Sequence, residues 1–388
     1  GTLLVVTLWR RRLRYLTQSE SSQVCFPQAT SLILCGQMLK VIRAGLCSSI
    51  QDGGRQHVAQ FGVCRAGVLD CNAAALANCA LQNAETEACL EIMQGAFEIE
   101  CLANCWVCVT GQQLALTLSP CDTQSNNHIN EPIHAGWPIQ LHKGQCLSIM
   151  PCADTGTAYL AVAGGFDVPV LLGSKSTDLG AQFGGFHGRT LQSGDTLALL
   201  TPSRQQQAFL QQRYGNVHKL TGIHQPPPSA VLRALPGPEE DTFSTSTCDV
   251  FWQQPWQISP ASNRMGCRLH RNTKETNLNN DDAQAIDSDN NNAMLNSHAI
   301  VPGTVQLPAN GEPIVLLADA QTTGGYPRIA CVIQADLWQL AQLPSHARIT
   351  FKRCTRAEAW QALKKQRALI YRAQRAILHD PAISTHNV

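Results

Sequence analysis

The sequence predicts a mainly β protein in two lobes, with few helices and one helix at the C-terminal end. Short apolar segments rich in Val, Ile and Leu recur along the chain, too short for ordinary helices and suited to strands. Gly-Gly, Asp-Gly and Tyr-Pro punctuation separates them. Helical periodicity is confined to a few places. Many short strands at this spacing indicate a barrel or a sandwich.

Taken in order, residues 1–37 read as an extension outside the fold. Thr2–Trp9 is apolar and Arg10–Arg14 basic, the reverse of a secretory signal, and the apolar run is too short to span a bilayer. Strand patterning begins at Met38, which reads as the natural start. The N-terminal β lobe is placed at 38–205. Leu39–Ile42 is a strand, and Ser48 to Arg55 a turn-rich stretch whose Asp-Gly-Gly leaves Gln51, Asp52 and Arg55 on an exposed rim. Asp70 caps an Ala-rich helix over Asn72–Leu81. Leu90-Glu-Ile92 opens a strand that carries Glu91 in an apolar setting, where a carboxylate is either hydrogen-bonded by a nearby loop or raised in pKa. Further strands are expected at Phe97–Cys101, Trp106–Thr110, Leu114–Leu118, Pro138–Leu141, Cys146–Ile149, Ala158–Ala163 and Thr196–Leu200. Lys175 and Arg189 lie on Gly-flanked loops as candidate anion contacts.

A Gln-rich stretch ending in Pro226-Pro-Pro228 reads as a linker. The C-terminal β lobe is placed at 206–365, and the helix and tail at 366–388, although helical patterning itself runs from Arg356 to Ile377. Ser262, Asn263 and Arg264 sit on a loop before Gly266 that presents donors and one fixed positive charge, suited to a carboxylate or phosphate or simply to a solvated surface. Residues 272–296 are Asn/Asp-rich, lack the glycine and closing glutamate of a calcium loop, and read as a disordered insertion. Asp319-Ala-Gln-Thr-Thr-Gly-Gly-Tyr-Pro327 lies between two buried-strand patterns. It is a shaped loop offering a carboxylate, an amide, two hydroxyls and a phenol at one place.

Charged residues are 15% of the chain, aromatics 6%, and the formal net charge is +1. That balance argues against nucleic acid and against an anionic membrane as partners. The 17 cysteines are scattered and many lie in apolar runs, as buried hydrophobes do in a reducing compartment. Cys101, Cys105 and Cys108 have the spacing of an iron–sulfur motif, but they fall in a strand–turn–strand pattern and read as structural cysteines, so no metal is expected. The chain has no GxxxxGK[ST], GxGxxG or HExxH motif, and no Ala-Met-Lys-Met segment to carry biotin.

Taken together, Ile42-Arg-Ala-Gly45, Gln51-Asp-Gly-Gly-Arg55, Gly67-Val-Leu-Asp70, Leu90-Glu-Ile92, Ala161-Val-Ala-Gly-Gly165, Gly173 to Asp178, Ser262-Asn-Arg-Met-Gly266, Ser297-His298, Pro302-Gly303 and Asp319 to Pro327 resemble a biotin-dependent carboxyltransferase family. That family includes the C subunit of bacterial 5-oxoprolinase, the carboxyltransferase part of urea carboxylase and the second subunit of allophanate hydrolase. The resemblance runs from about Met38 to about Leu363, and length and the Ser297-His298 context bring it nearest the 5-oxoprolinase member. It implies a cyclophilin-like β-barrel architecture in two lobes, and a cytoplasmic complex with subunits A and B that opens the lactam 5-oxoproline to glutamate at the expense of ATP. Loop amides and Arg side chains would stabilise charge on the lactam oxygen, and a carboxylate would orient or deprotonate the attacking group. On that basis Asp52, Arg55, Asp70, Arg264, Gln321 and Tyr326 are the candidate catalytic residues. Ser262, Asn263, Asp319, Thr322, Thr323, Gly324 and Gly325 are the candidate substrate-binding residues. The loops at Asp52–Arg55, Ser262–Gly266 and Asp319–Pro327 should meet in one cleft, with Arg55 or Arg264 facing Asp319 or Gln321, and Arg264 should contribute little to stability. Two alternatives stand beside this reading: a carboxyltransferase acting with carboxybiotin on urea or a related amide, and a non-enzymatic regulator that binds a protein resembling the B subunit.

Overall fold

The computed structural model describes residues 37–121, 131–151, 156–214, 226–271 and 295–379, and from Gln37 onward these form one compact unit. The extension before Gln37, most of the Asn/Asp-rich insertion, part of the linker and the C-terminal tail lie outside the described residues.

The N-terminal lobe is built from β1 (Met38–Ala44), β2 (Cys47–Gln51), β3 (Cys89–Met93), β4 (Phe97–Cys101), β5 (Cys105–Thr110), β6 (Leu114–Pro120), β7 (Glu131–Ile133), β8 (Pro138–Leu141), β9 (Gln145–Pro151), β10 (Thr157–Val162) and β11 (Thr196–Ala198). Six of them form one sheet in the order β11-β1-β4-β9-β6-β7, and five form another, β2-β3-β10-β5-β8. Alternation on β1 and β4 turns Leu39, Val41, Phe97 and Ile99 inward, where they meet Ile50, Leu90, Ile92, Val107, Val109 and Leu160 of the second sheet. Strands of the second sheet are buried on both faces because α1 (Cys71–Ala80) covers the outer one. Ala73, Ala77 and Leu81 pack there on Cys89, Cys108 and Tyr159. Small residues along α1 let the helix lie close to the sheet. The stretch from Ser48 to Gln51, expected as turn, is strand β2 paired to β3.

α2 (Arg204–Tyr214) follows, and the C-terminal lobe comprises β12 (Val231–Pro236), α3 (Thr245–Gln253), β13 (Trp256–Ile258), β14 (Gly266–His270), β15 (His298–Ala299), β16 (Thr304–Gln306), β17 (Ile314–Leu316), β18 (Thr323–Gly324), β19 (Arg328–Val332), α4 (Leu337–Gln342) and β20 (Arg348–Arg353). Seven strands close a barrel in the order β12-β19-β16-β17-β14-β13-β20, sealed by the parallel β12–β20 pair. Its interior holds Leu232, Phe251, Trp256, Val305, Val315, Ile329 and Ile349. α5 (Arg356–His379) ends the described chain.

The cysteines divide. Cys101 and Cys105 face the sandwich core with their sulfurs 3.9 Å apart, whereas Cys108 packs beneath α1, so the third thiol does not join the other two. Cys121 and Cys146 form a disulfide, against the expectation that the cysteines are reduced. The pair escaped notice because the partners are 25 residues apart, one in a strand and one at a strand end.

Candidate functional site between the two lobes

The loops that the sequence singles out converge where the lobes meet. The Ala66 N–H donates to the Ala318 carbonyl at 3.0 Å, tying the loop before Asp70 to the strand end before Asp319. Positive φ at Gly54 and Gly67 brings the 52–55 and 65–67 segments into backbone contact; a Cβ on Gly67 would lie 2.9 Å from the Gly54 Cα.

Arg264 occupies the centre. Expected on a solvated loop, it is only 4% exposed. Its Nε donates to Asp319 Oδ2 at 2.9 Å and its Nη2 to Asp319 Oδ1 at 2.8 Å, a bidentate pair. Nη1 donates to Glu91 Oε1, and Nη2 also donates to the Gly67 carbonyl at 2.7 Å. Arg264 and Asp319 come from the barrel lobe, Glu91 and Gly67 from the sandwich lobe, so one guanidinium joins both. Burial works against its charge, but Glu91 and then Asp319 outweigh burial and raise its pKa. The second Glu91 oxygen accepts from the Leu69 N–H and the Tyr159 hydroxyl, both at 2.8 Å. Burial, followed by the nearby Glu91 and Asp70 charges, raises the Tyr159 pKa and keeps that hydroxyl a donor. Glu91 is therefore the hydrogen-bonded carboxylate that its apolar strand called for.

Asp70 is buried and serves as a scaffold. Its Oδ1 accepts from the Asn72 and Ala73 N–H groups at the start of α1, and its Oδ2 accepts from Gln342 Nε2 at 2.9 Å. Gln342, at the end of α4, donates as well to the Thr157 carbonyl at 3.0 Å, forming a second bridge between the lobes. Asp52 is likewise committed. Its oxygens accept from the Ser174 and Ser176 hydroxyls and the Lys175 N–H, each at 2.6 Å, and from the Gly54 N–H at 2.8 Å. Neither carboxylate retains the freedom expected of a general base. Ser262 and Asn263 close their own turn: Asn263 Oδ1 accepts from the Met265 N–H at 2.9 Å and Ser262 Oγ from the Arg268 N–H at 3.0 Å.

Arg55 differs from Arg264. It is not on an exposed rim but 1% exposed. Its Nη2 donates to the Ser176 carbonyl at 2.6 Å and its guanidinium lies 4.3 Å from the centre of the Phe183 ring. Among the described residues Nε and Nη1 have no hydrogen-bond partner. Burial lowers the Arg55 pKa, opposed chiefly by Asp178. Asp178 accepts from the Cys64 thiol at 3.1 Å, which pushes that thiol up on top of the effect of burial. A buried guanidinium with two unused donors has the chemistry to receive an anion.

The Asp319–Pro327 loop spreads outward from this centre. Gln321 and Thr323 are exposed, and the Thr322 carbonyl accepts from the Ile300 N–H at 3.0 Å. Thr323 and Gly324 pair with Ala299 and His298, the Gly325 carbonyl accepts from the Leu295 N–H at 2.8 Å, and Tyr326 is 42% exposed. Arg264 faces Asp319 as expected, in a buried contact where the lobes meet; among the described residues Gln321 makes no hydrogen bond to either arginine. Lys175 is held by Glu87 at 2.7 Å and Arg189 by Asp195 at 2.7 Å, so neither is a free anion contact. Sequence reasoning missed Tyr159, Ser176, Asp178 and Gln342. Of these Ser176 and Asp178 lie in the Gly173–Asp178 stretch that the sequence singles out, although neither was given a role.

The fold and site define a two-lobed β protein, a sandwich joined to a closed barrel through a buried carboxylate–guanidinium–carboxylate junction. Residues 61–353 match the family described as carboxyltransferase domain, subdomain A and B, and the chain belongs to that family. Over 332 residues it is 39% identical to the C subunit of 5-oxoprolinase from Escherichia coli strain K12, an alignment spanning 85% of this chain and 95% of that protein. Over 343 residues it is 34% identical to the Haemophilus influenzae protein of the same name, spanning 88% and 99%. The Kluyveromyces lactis urea carboxylase structure superposes with a TM-score of 0.70 at 23% identity, over 87% of this chain and 29% of that one, a likeness of fold. The chain spans between about a fifth and about half of the solved chains it matches. Among the described residues no helix is long and apolar enough to cross a membrane.

Proposed function

We propose that this chain is the C subunit of an ATP-dependent 5-oxoprolinase and acts with subunits A and B in the cytoplasm to open 5-oxo-L-proline to L-glutamate. The observation that carries this reading is the 39% identity, over 95% of its length, to a protein named as the C subunit of 5-oxoprolinase. The 34% match over 99% of a second such protein supports it.

The chemistry assigned to this chain centres on Arg55. A lactam amide resists water because resonance stabilises it, and attack places negative charge on its oxygen. Nε and Nη1 of Arg55 are fixed, desolvated donors suited to that charge or to the substrate carboxylate. Arg264, already neutralised by Glu91 and Asp319, holds the lobes in register and takes no part in proton transfer. ATP, when bound in the complex, supplies the activation of the lactam. Lys175 and Arg189 are both paired to carboxylates, and the described residues build no phosphate cradle, so we assign the nucleotide to one of the other subunits and derive no step through it here. The chain has no Ala-Met-Lys-Met segment, so this reading attaches no biotin to it.

The test is reconstitution. The chain mixed with subunits A and B, ATP and 5-oxoproline should form glutamate, and the chain alone should not hydrolyse ATP. Arg55→Ala should cut glutamate formation by about a hundredfold or more, the effect expected of losing a charge-stabilising donor. Full activity of the variant refutes the role of Arg55. Failure of the wild-type mixture, together with carboxyl transfer from carboxybiotin to urea, refutes the assignment itself.

A further inference from the structure

α5 lies beyond Arg353, outside the region that matches the family. One side of it is used within the fold. Ala362 and Ile377 are buried, Ala362 packs with Ile333 and Ala335, and Gln374 donates to Glu85 Oε1 at 2.6 Å. The other side packs against none of the described residues. Trp360, Lys364, Arg367, Tyr371 and Arg375 recur at spacings of three and four residues and are all exposed, Trp360 at 57% and Tyr371 at 59%. They form one continuous stripe about 22 Å long at the usual helical rise. Lys364 lies 5.4 Å from the Trp360 ring and Arg375 6.0 Å from the Tyr371 ring, so the cations are held along the stripe by the aromatic rings. Among the described residues none of these three cations is paired with a carboxylate.

The charge is concentrated here. The helix has six Lys or Arg against one Glu, a net +5, while the whole chain is +1, leaving −4 for the remainder. Trp, Tyr and Arg are the residues that dominate binding energy at protein interfaces. A polyanion such as nucleic acid would meet repulsion from the rest of the chain, and each aromatic ring already has its own cation close by. A lipid surface needs an apolar helix face to bury, and the apolar face of α5 is turned into the protein. What complements a narrow aromatic and cationic stripe is a protein surface carrying carboxylates.

We propose that the Trp360–Lys364–Arg367–Tyr371–Arg375 stripe of α5 docks an acidic face of another subunit of the 5-oxoprolinase complex. This rests on the function proposed above. One helix face is smaller than the roughly 800 Å² per partner of a stable interface, so the stripe is one anchor within a larger contact.

The experiment measures the affinity of the full-length chain for purified subunits A and B at low and at physiological salt. The variant Lys364→Gln/Arg367→Gln/Arg375→Gln removes the cations from an exposed face and leaves the buried face of the helix intact. A control, Lys143→Gln/Arg204→Gln/Lys352→Gln, removes the same charge elsewhere. The stripe variant should raise Kd about tenfold or more and flatten its salt dependence, with turnover per assembled complex unchanged; Trp360→Ala should raise Kd without altering the salt dependence. A change of less than about twofold, or an equal loss in the control, overturns the proposal. So does binding of the wild-type chain to anionic phospholipid vesicles in preference to the other subunits. Failure of the wild-type chain to bind either of them is a different result: it overturns the 5-oxoprolinase reading, and this partner with it.

Discussion

Replacing Arg264 with alanine tests the interlobe junction directly. The substitution leaves Glu91 and Asp319, both buried, facing each other's charge with no cation between them, and deprives the Gly67 carbonyl of its donor. Removing one partner of a buried pair costs about 3–5 kcal/mol, mostly because the remaining charge stays desolvated. At roughly 2–4 °C per kcal/mol for a domain of this order of size, the melting temperature should fall by roughly 6–20 °C. A lysine at the same position reaches one carboxylate and loses the bidentate geometry, so Arg264→Lys should recover only part of the loss. Thermal unfolding followed by circular dichroism reads the effect, and a cycle with Asp319→Asn separates the pair from the rest. The two substitutions should be clearly non-additive, with a coupling of about 0.5–3 kcal/mol. A shift below about 1 °C for Arg264→Ala would mean that the guanidinium is solvated, and the structural role argued for it would be wrong.

Two further outcomes follow from local geometry. Gly184 has φ +74°, and a Cβ there would lie 2.5 Å from Arg55 Nη2 and against the Ser176 carbonyl, so Gly184→Ala should destabilise the protein by about 1–3 kcal/mol and displace Arg55. Glutamate formation by the reconstituted complex should then fall more steeply than the melting temperature alone explains. The Cys121–Cys146 disulfide closes a loop spanning 25 residues, for which chain entropy gives about 3.5 kcal/mol, so reduction should lower the melting temperature by several degrees. Alkylation of the unreduced, unfolded protein at both cysteines would show that the bond does not form.

The positions of the special loops were legible, and the environments they create were not. Gly54, Gly67 and the Asp319–Pro327 loop announced themselves because backbone geometry is written in single residues and their neighbours. Burial of Arg264 is written across 55 residues to Asp319 and 173 to Glu91, and a loop sequence of Ser-Asn-Arg-Met-Gly reads as solvent-facing by itself. The missing clue lay at the other end of the contact. Glu91 sits in Cys89–Met93, a strand otherwise fully apolar and buried save for Met93. A carboxylate there must find a cation or strong donors, and neither the strand nor its neighbours in sequence supply one. Glu91 meets that requirement partly within its own lobe, through the Leu69 N–H and the Tyr159 hydroxyl, and partly through Arg264 delivered from the second lobe. The same logic separates the two arginines. Arg264 meets two carboxylates and a carbonyl, so its bonding capacity is spent on joining the lobes. Arg55 meets one carbonyl and one ring, and its two idle donors are a standing desolvation cost that packing alone does not offset. One buried arginine is thus fully satisfied while another, a loop away, is not, and that contrast is the ground on which the function proposed above gives the second one an incoming anion.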